Sequence, residues 1–309
     1  MTQPLIDFNF YPIRLTLKNL LKDKSTKKNI IWATNTYEYL GASFDDRSEM
    51  KEASFTHGFV LNPRTSKSAK IQLDRTRKKA EVYTPSWVVN LMNNHCDEVW
   101  FGRKDVFNIQ NDQTWEPIRE KITFPEGKTW QDYVESRRLE ITCGEAPYLV
   151  SRYDAASSEP IRHTINRIGI LDRKLRVVNE NTNTKEEWVL WATKAVMSCY
   201  GYEYQGDSLL LARINVLLTF VEYFERRWDE DVDKKTLKKL SNIISWNLWQ
   251  MDGLTGNVPF GAPLGEDNQI SMTEVNNMTE VEKEEPVACR IYDWKANKSQ
   301  SFASLKENI

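Results

Sequence analysis

Three acidic residues stand where an extended run gives way to a turn, and each could grip part of one ligand. The first is Glu140 in Glu140-Ile-Thr-Cys-Gly144-Glu-Ala-Pro, where a glycine at the turn leaves the backbone open to close approach. The second is Glu203 in Tyr202-Glu203-Tyr204, a carboxylate able to accept both hydroxyl hydrogens of a ribose. The third is Asp252 before Gly253, able to accept from an exocyclic amino group such as that of adenine. Each also has a plainer reading: Glu140 as a helix cap, Glu203 as a surface acid, Asp252 as an ordinary turn residue.

Other groups invite chemistry less directly. Cys143 next to Gly144 has no histidine nearby in sequence, so a small buried residue fits it better than a nucleophile. The cysteines and histidines are scattered with no CxxC, which gives no metal-ligand spacing and fits a reduced, cytoplasmic protein. Asp293-Trp294-Lys295 has an acid-x-Lys spacing found in metal-dependent nucleases, with Glu284 or Glu285 as further ligands, but such spacing is common by chance. A basic stretch holds Arg64, Lys67, Lys70, Arg75, Arg77, Lys78 and Lys79 against the single acid Asp74. It reads as a solvated face or as a phosphate-contacting patch. The net charge of −2 means that any nucleic-acid contact must be local.

The elements around these residues predict an α/β fold. Residues 129–250 alternate helix, strand, helix, strand, helix, strand, which points to a mostly parallel sheet with helices on both faces. The strands are read at Arg138–Thr142, Ser198–Tyr204 and Asn242–Gln250; the long helix is read at Ser208–Arg226. Thr84-Pro85 starts another helix, whose apolar stripe is Val88, Leu91, Met92 and Cys96. Residues 1–80 are expected to form an N-terminal module with a short helix from Ile13 and a strand-like run over Asn29–Asn35. Residues 81–309 form the main domain, with a polar insertion at 151–184 and an acidic linker at 255–286. No signal-peptide layout and no bilayer-length apolar run is found, so no membrane is expected.

Taken together, the three acids suit an amino acid, a ribose and a purine. That set describes S-adenosylmethionine better than a dinucleotide, since no Gly-rich pyrophosphate turn occurs. Over residues 80–255 the chain resembles the N6-adenine DNA methyltransferases of bacterial restriction–modification systems, of the subclass whose cofactor motif precedes the catalytic one. Tyr83-Thr84-Pro85 resembles the family's Phe-Thr-Pro, and Glu140 to Gly144 its acidic-Pro-x-x-Gly-x-Gly loop. Cys199-Tyr-Gly-Tyr-Glu203 and the following Ala212-Arg213-Ile214-Asn215 resemble its second strand and helix. Asn247 to Leu254 resembles its Asn-x-x-x-x-Asp-x-Leu segment.

The resemblance implies a Rossmann-like S-adenosylmethionine-dependent methyltransferase sheet behind an N-terminal extension. It implies cofactor contacts from Tyr83, Thr84, Pro85, Glu140, Thr142, Gly144, Glu203, Tyr204 and Asp252. DNA would be the substrate, and a specificity or restriction subunit a partner. The pattern departs from the family in three places: Ile141 replaces Pro, Ala146 replaces the second Gly, and Asn/Asp-Pro-Pro-Tyr is not found. The nearest counterpart is Ile291-Tyr-Asp-Trp294, where Asp293 would accept from the target amino group and Trp294 would stack on the flipped base. The alternative is a lapsed, modification-type subunit that binds cofactor or DNA without turnover.

Overall fold

The computed structural model describes residues 6–56, 61, 63, 84–260 and 287–306. Its helices are α1 (Ile13–Leu20), the single turn α2 (Ala53–Thr56), α3 (Ser86–Phe101), α4 (Trp130–Glu135), α5 (Ile170–Asn181), α6 (Lys185–Met197), α7 (Gly206–Trp228), α8 (Lys234–Asn247) and the single turn α9 (Ala303–Lys306). Its strands are β1 (Asn108–Asn111), β2 (Thr114–Pro117), β3 (Arg138–Glu140), β4 (Cys199–Glu203), β5 (Leu248–Gln250), β6 (Arg290–Asp293) and β7 (Lys298–Ser301).

β3, β4 and β5 form a parallel sheet in chain order, with Glu140 opposite Gly201 and Glu203 opposite Gln250. The helical connections α5–α6 and α7–α8 are what parallel neighbours require. One face of the sheet carries Cys199, Gly201 and Leu248 into the main core, which α7 fills along its whole buried length. The other face carries Tyr200, Tyr202 and Trp249. It is covered by the antiparallel hairpin β6–β7 and by Phe302 rather than by a helix, so the expected helices on both faces are not what these residues form. The aromatic row gives the short hairpin enough apolar surface to pack upon.

The described N-terminal residues share a core with the helices that follow. Ile6, Phe8, Ile13, Leu17, Leu20 and Trp32 belong to the same core as α7 and α8. The Asn29–Asn35 run makes only isolated bridges, Lys22 with Asn29 and Ile31 with Glu49. Ile30, Trp32 and Ala33 bond to the backbones of Leu21, Met50, Ser48 and Asp46, and Ile31 is held by a side chain: Gln250 Oε1 accepts from Ile31 N, and its Nε2 donates to the carbonyls of Ile31 and Tyr204, all at 2.9 Å. Beside it Gly206 N donates to Trp32 O at 2.9 Å. A Cβ on Gly206 would lie 1.9 Å from Ile31 O, so only glycine lets the two backbones meet.

Three readings of the sequence change. The polar stretch 151–184 contains α5, whose residues Ile170 through Val178 are all buried. Its charges are matched from far along the chain: Arg173 with Asp97 at 2.5 Å, and Lys174 Nζ with Ser136 O and Ser198 Oγ. The helix α3 turns its expected apolar stripe outward. Leu91, Met92 and Cys96 are exposed, while Asn90, Asn93 and Asp97 are buried. Arg173 supplies the reason, since it donates to Asn90, Asn94 and Asp97 and so draws the polar side inward. Finally, most of the stretch read as a strand at Asn242–Gln250 is the end of α8, with Leu237, Leu240, Ile243 and Ile244 at helical spacing toward the core.

Candidate functional site: the carboxyl rim of the sheet

The three acids do come to one rim. Cys143 N donates to Tyr202 O at 2.8 Å and Met251 N to Glu203 O at 3.0 Å, so the chain leaving β3 and the chain leaving β5 both lean on the end of β4. Glu203 is buried; one carboxylate oxygen accepts from Gly144 N at 2.9 Å and the other from Gln205 N at 3.1 Å.

The loop after β3 is built from left-handed residues. Thr142, Gly144 and Ala146 have φ of 50°, 52° and 65°. A Cβ added to Gly144 would meet nothing within 4 Å, so the loop faces open space at its glycine. Ala146 holds a left-handed conformation that glycine adopts more readily. Thr142 is exposed, and its hydroxyl donates to Ile141 O at 2.7 Å.

Glu140 has a different task from the one expected. Its two oxygens accept from Tyr148 N at 3.2 Å and Leu149 N at 3.1 Å, which folds the loop back onto its own strand. Burial pushes this carboxyl up to about 8, against the two amide hydrogen bonds that lower it and the nearby Glu203 that raises it further. It is therefore largely a neutral acid at pH 7, fastening the loop rather than presenting charge to a ligand. Burial likewise raises the Cys143 thiol well above its ordinary range, with Glu140 and Glu203 adding to the effect, so it is not a thiolate nucleophile.

Asp252 is half-buried, and one oxygen accepts from Leu254 N at 2.8 Å and Thr255 N at 3.4 Å, the pattern of a turn-forming aspartate. Its other oxygen makes none of these turn bonds. Tyr204 is close enough for Asp252 and Asp46 to add to the burial that raises its phenol, while Arg47 opposes them; its ring lies 6.0 Å from Phe260. Thr84 and Pro85 precede α3, with Pro85 rather than Thr84 at the cap. Ser86 N donates to Asp154, and Asn93 to the carbonyls of Tyr148 and Ile168, so α3 lies along the segment that follows the loop. Tyr83 and the basic set Arg64, Lys67, Lys70, Arg75, Arg77, Lys78 and Lys79 lie outside the described residues, as do Glu284 and Glu285.

Asp293 and Trp294 are not brought to this rim. Asp293 pairs with Arg137 at 2.9 Å, just ahead of β3, and accepts from Lys295 N and Ala296 N. Trp294 Nε1 donates at 2.7 Å to Asn247, just ahead of β5. Both therefore sit at the amino end of the sheet, about 13 Å from Glu203 along β4 at the usual strand rise. Among the described residues no group of three or more His, Cys, Asp or Glu is placed to hold a metal ion. No described helix is long and apolar enough to cross a membrane.

Two glutamines at the rim were missed from sequence. Gln250 holds the Ile31 backbone, and Gln205, 4% exposed, keeps a buried Oε1 with no hydrogen-bond partner. No periodicity marks a glutamine beside a strand end. Arg213 and Asn215 of the Ala-Arg-x-Asn run serve the fold: Arg213 donates to the carbonyls of Leu20, Lys22 and Leu248, and Asn215 to Glu145 O and Tyr153.

Comparison with protein-family models, with curated proteins and with solved structures finds no match to this chain.

Proposed function

We propose that the chain binds S-adenosylmethionine at the carboxyl rim of its parallel sheet and serves methylation of the adenine amino group in DNA. The observation that carries the reading is the Glu203 carboxylate bonded to Gly144 N across two strands. It sets a hydroxyl acceptor beside an open glycine turn at the place where open parallel sheets bind ligands. The unpartnered Gln205 Oε1 next to Glu203 adds a buried acceptor that a ligand hydroxyl or amino group would satisfy.

Glu203 would hold the ribose hydroxyls, and the free oxygen of Asp252 would accept from the adenine amino group. The Gly144 turn would lie against the amino-acid end, with Glu140 fixing that turn from below. When bound, the cofactor supplies an electrophilic methyl group to the target nitrogen. The protein's share is then to position the two and to draw on the amino hydrogen.

The amino-end placement of Asp293 and Trp294 favours a second reading, a modification-type subunit that binds the cofactor and leaves the base-facing group to a partner.

Isothermal titration with S-adenosylmethionine tests the shared step. Wild type should bind, and Glu203→Gln, which loses one acceptor, should bind about ten-fold more weakly, the cost of a hydrogen bond to a charged group. Equal affinity removes the ribose assignment. Incubation with DNA and methyl-labelled cofactor separates the two readings: label in adenine supports the enzyme, and binding without label supports the subunit.

A further inference from the structure

Helices α1 and α8 run side by side in the same direction. Tyr11 meets Val232 at one end, Asn19 donates to Ser241 in the middle, and Lys24 reaches Asn242 at the other. Their inner faces are consumed by the core: Ile13, Leu17 and Leu20 on one, Leu237, Leu240, Ile243 and Ile244 on the other. Neither helix contains an acidic residue. Their outward faces carry Arg14, Lys18, Lys234, Lys235, Lys238 and Lys239, all exposed.

Acids flank the ridge at its Tyr11 end, where Glu225 and Asp231 act on the Tyr11 phenol; two others nearby are hydrogen-bonded to the backbone. Asp233 caps α8 through Lys235 N and Thr236 N, and Asp23 bonds its own turn at Ser25 and Thr26. Below the ridge, Arg213 is fully buried with its guanidinium on carbonyl groups, which adds a positive charge from beneath. Lys24 registers that field: burial lowers its ammonium, and Arg213 and Lys22 lower it further. In a chain of net charge −2 this is a concentrated positive patch two helices wide, about 8 Å long from Lys234 to Lys239 at the usual helical rise.

We propose that the α1–α8 ridge grips the phosphate backbone of duplex DNA, and so forms the nucleic-acid contact surface of the methyltransferase reading on which it rests. A rigid patch of long cations with its apolar side already packed away suits a polyanion. An anionic membrane would need an apolar face free to enter it, and here exposed apolar side chains are confined to Phe10 and Leu15 at one end. Phosphate contacts of this kind bind without reading sequence, so the ridge holds the duplex while specificity lies elsewhere.

The test compares the full chain with the quadruple variant Lys18→Gln/Lys235→Gln/Lys238→Gln/Lys239→Gln and with a control, Lys104→Gln/Lys121→Gln/Lys295→Gln/Lys298→Gln, which removes equal charge elsewhere. Binding of a fluorescent 30-base-pair duplex is followed by anisotropy from 50 to 200 mM KCl. Each lost phosphate contact lowers the slope of log K against log salt by about 0.9. Over that range wild type should therefore weaken about 150-fold more than the ridge variant, while the control keeps the wild-type slope.

An unchanged slope in the ridge variant, or an equal loss in the control, overturns the proposal. So does ridge-dependent binding to phosphatidylserine vesicles with none to duplex. Titration with S-adenosylmethionine on the same samples keeps the two ideas apart. Cofactor binding without ridge-dependent DNA binding sinks the ridge alone, and the converse sinks the cofactor assignment alone. A thermal melt matching wild type shows the variant folded; if it melts early, Lys235→Gln/Lys239→Gln alone should lower the slope by about 1.8.

Discussion

Substituting Gly206 by alanine should unseat the N-terminal segment from the sheet. The new Cβ would lie 1.9 Å from Ile31 O and 3.0 Å from Ile31 C. Both are backbone atoms, so no rotamer can relieve the clash, and the strand-like segment must retreat by about 1.5 Å to reach ordinary contact. Three hydrogen bonds would stretch out of range: Gly206 N to Trp32 O, and both bonds between Gln250 and Ile31. At about 1 kcal/mol each, plus about 1–3 for overpacking and less the small helical gain of alanine over glycine, the net loss is about 3–5 kcal/mol.

Urea unfolding at pH 7 measures it. Gln250→Ala loses two of the same bonds and a third to Tyr204 O without the clash, and should cost about 3 kcal/mol. The double variant should then cost less than the sum of the two, because both act on one contact. A Gly206→Ala protein within 0.5 kcal/mol of wild type, or strict additivity in the double variant, would refute this account of how the N-terminal segment is held.

Four further outcomes can be checked. Ala146→Gly relieves a left-handed alanine at φ 65° and should stabilise by about 0.5–1 kcal/mol in the same assay. Glu140 is raised in the folded state from its ordinary 4.5 to about 8, so its contribution to stability is full below pH 4.5 and is lost as pH rises toward 8. The ceiling on that loss is about 5 kcal/mol, and Glu140→Gln should flatten the pH–stability curve across this window; an unflattened curve removes the raised carboxyl. Asp97→Asn leaves the buried Arg173 guanidinium short of its counter-charge and should cost about 3–5 kcal/mol by chemical denaturation. Asp293→Asn and Trp294→Phe, at the amino end of the sheet, should leave S-adenosylmethionine affinity within two-fold of wild type; a larger drop places them nearer the rim than their hydrogen bonds do.

What could be read in advance was whatever depended on local pattern. The strand at Cys199–Glu203 and the helix after it follow from an apolar run, a turn and a second apolar run, and they put Glu203 at the carboxyl end of its strand. The alternation around them gave the parallel order. Two of the failures share one cause, burial decided by a distant partner, while the strand read over Asn242–Gln250 missed the helical spacing of Leu237, Leu240, Ile243 and Ile244. Arg173, Lys174 and Arg176 look like solvent residues until Asp97, Ser136 O and Glu120 O are brought beside them. The same network reversed α3, because asparagines that seem surface-bound were answering a buried guanidinium. Glu140 falls within the strand read at Arg138–Thr142, but its neutral, fastening state depends on burial and two amides eight and nine residues away.

The clasp between Gln250 and Ile31 spans 219 residues of chain. At ordinary translation speeds of about 5–20 residues per second, Ile31 and Trp32 emerge from the ribosome on the order of ten to forty seconds before the glutamine that will hold them. Through that interval Phe8, Leu20, Ile30 and Trp32 have no core to enter, since α7 and α8 do not yet exist. Until β5 is complete, these side chains lack the surfaces that bury them in the folded chain.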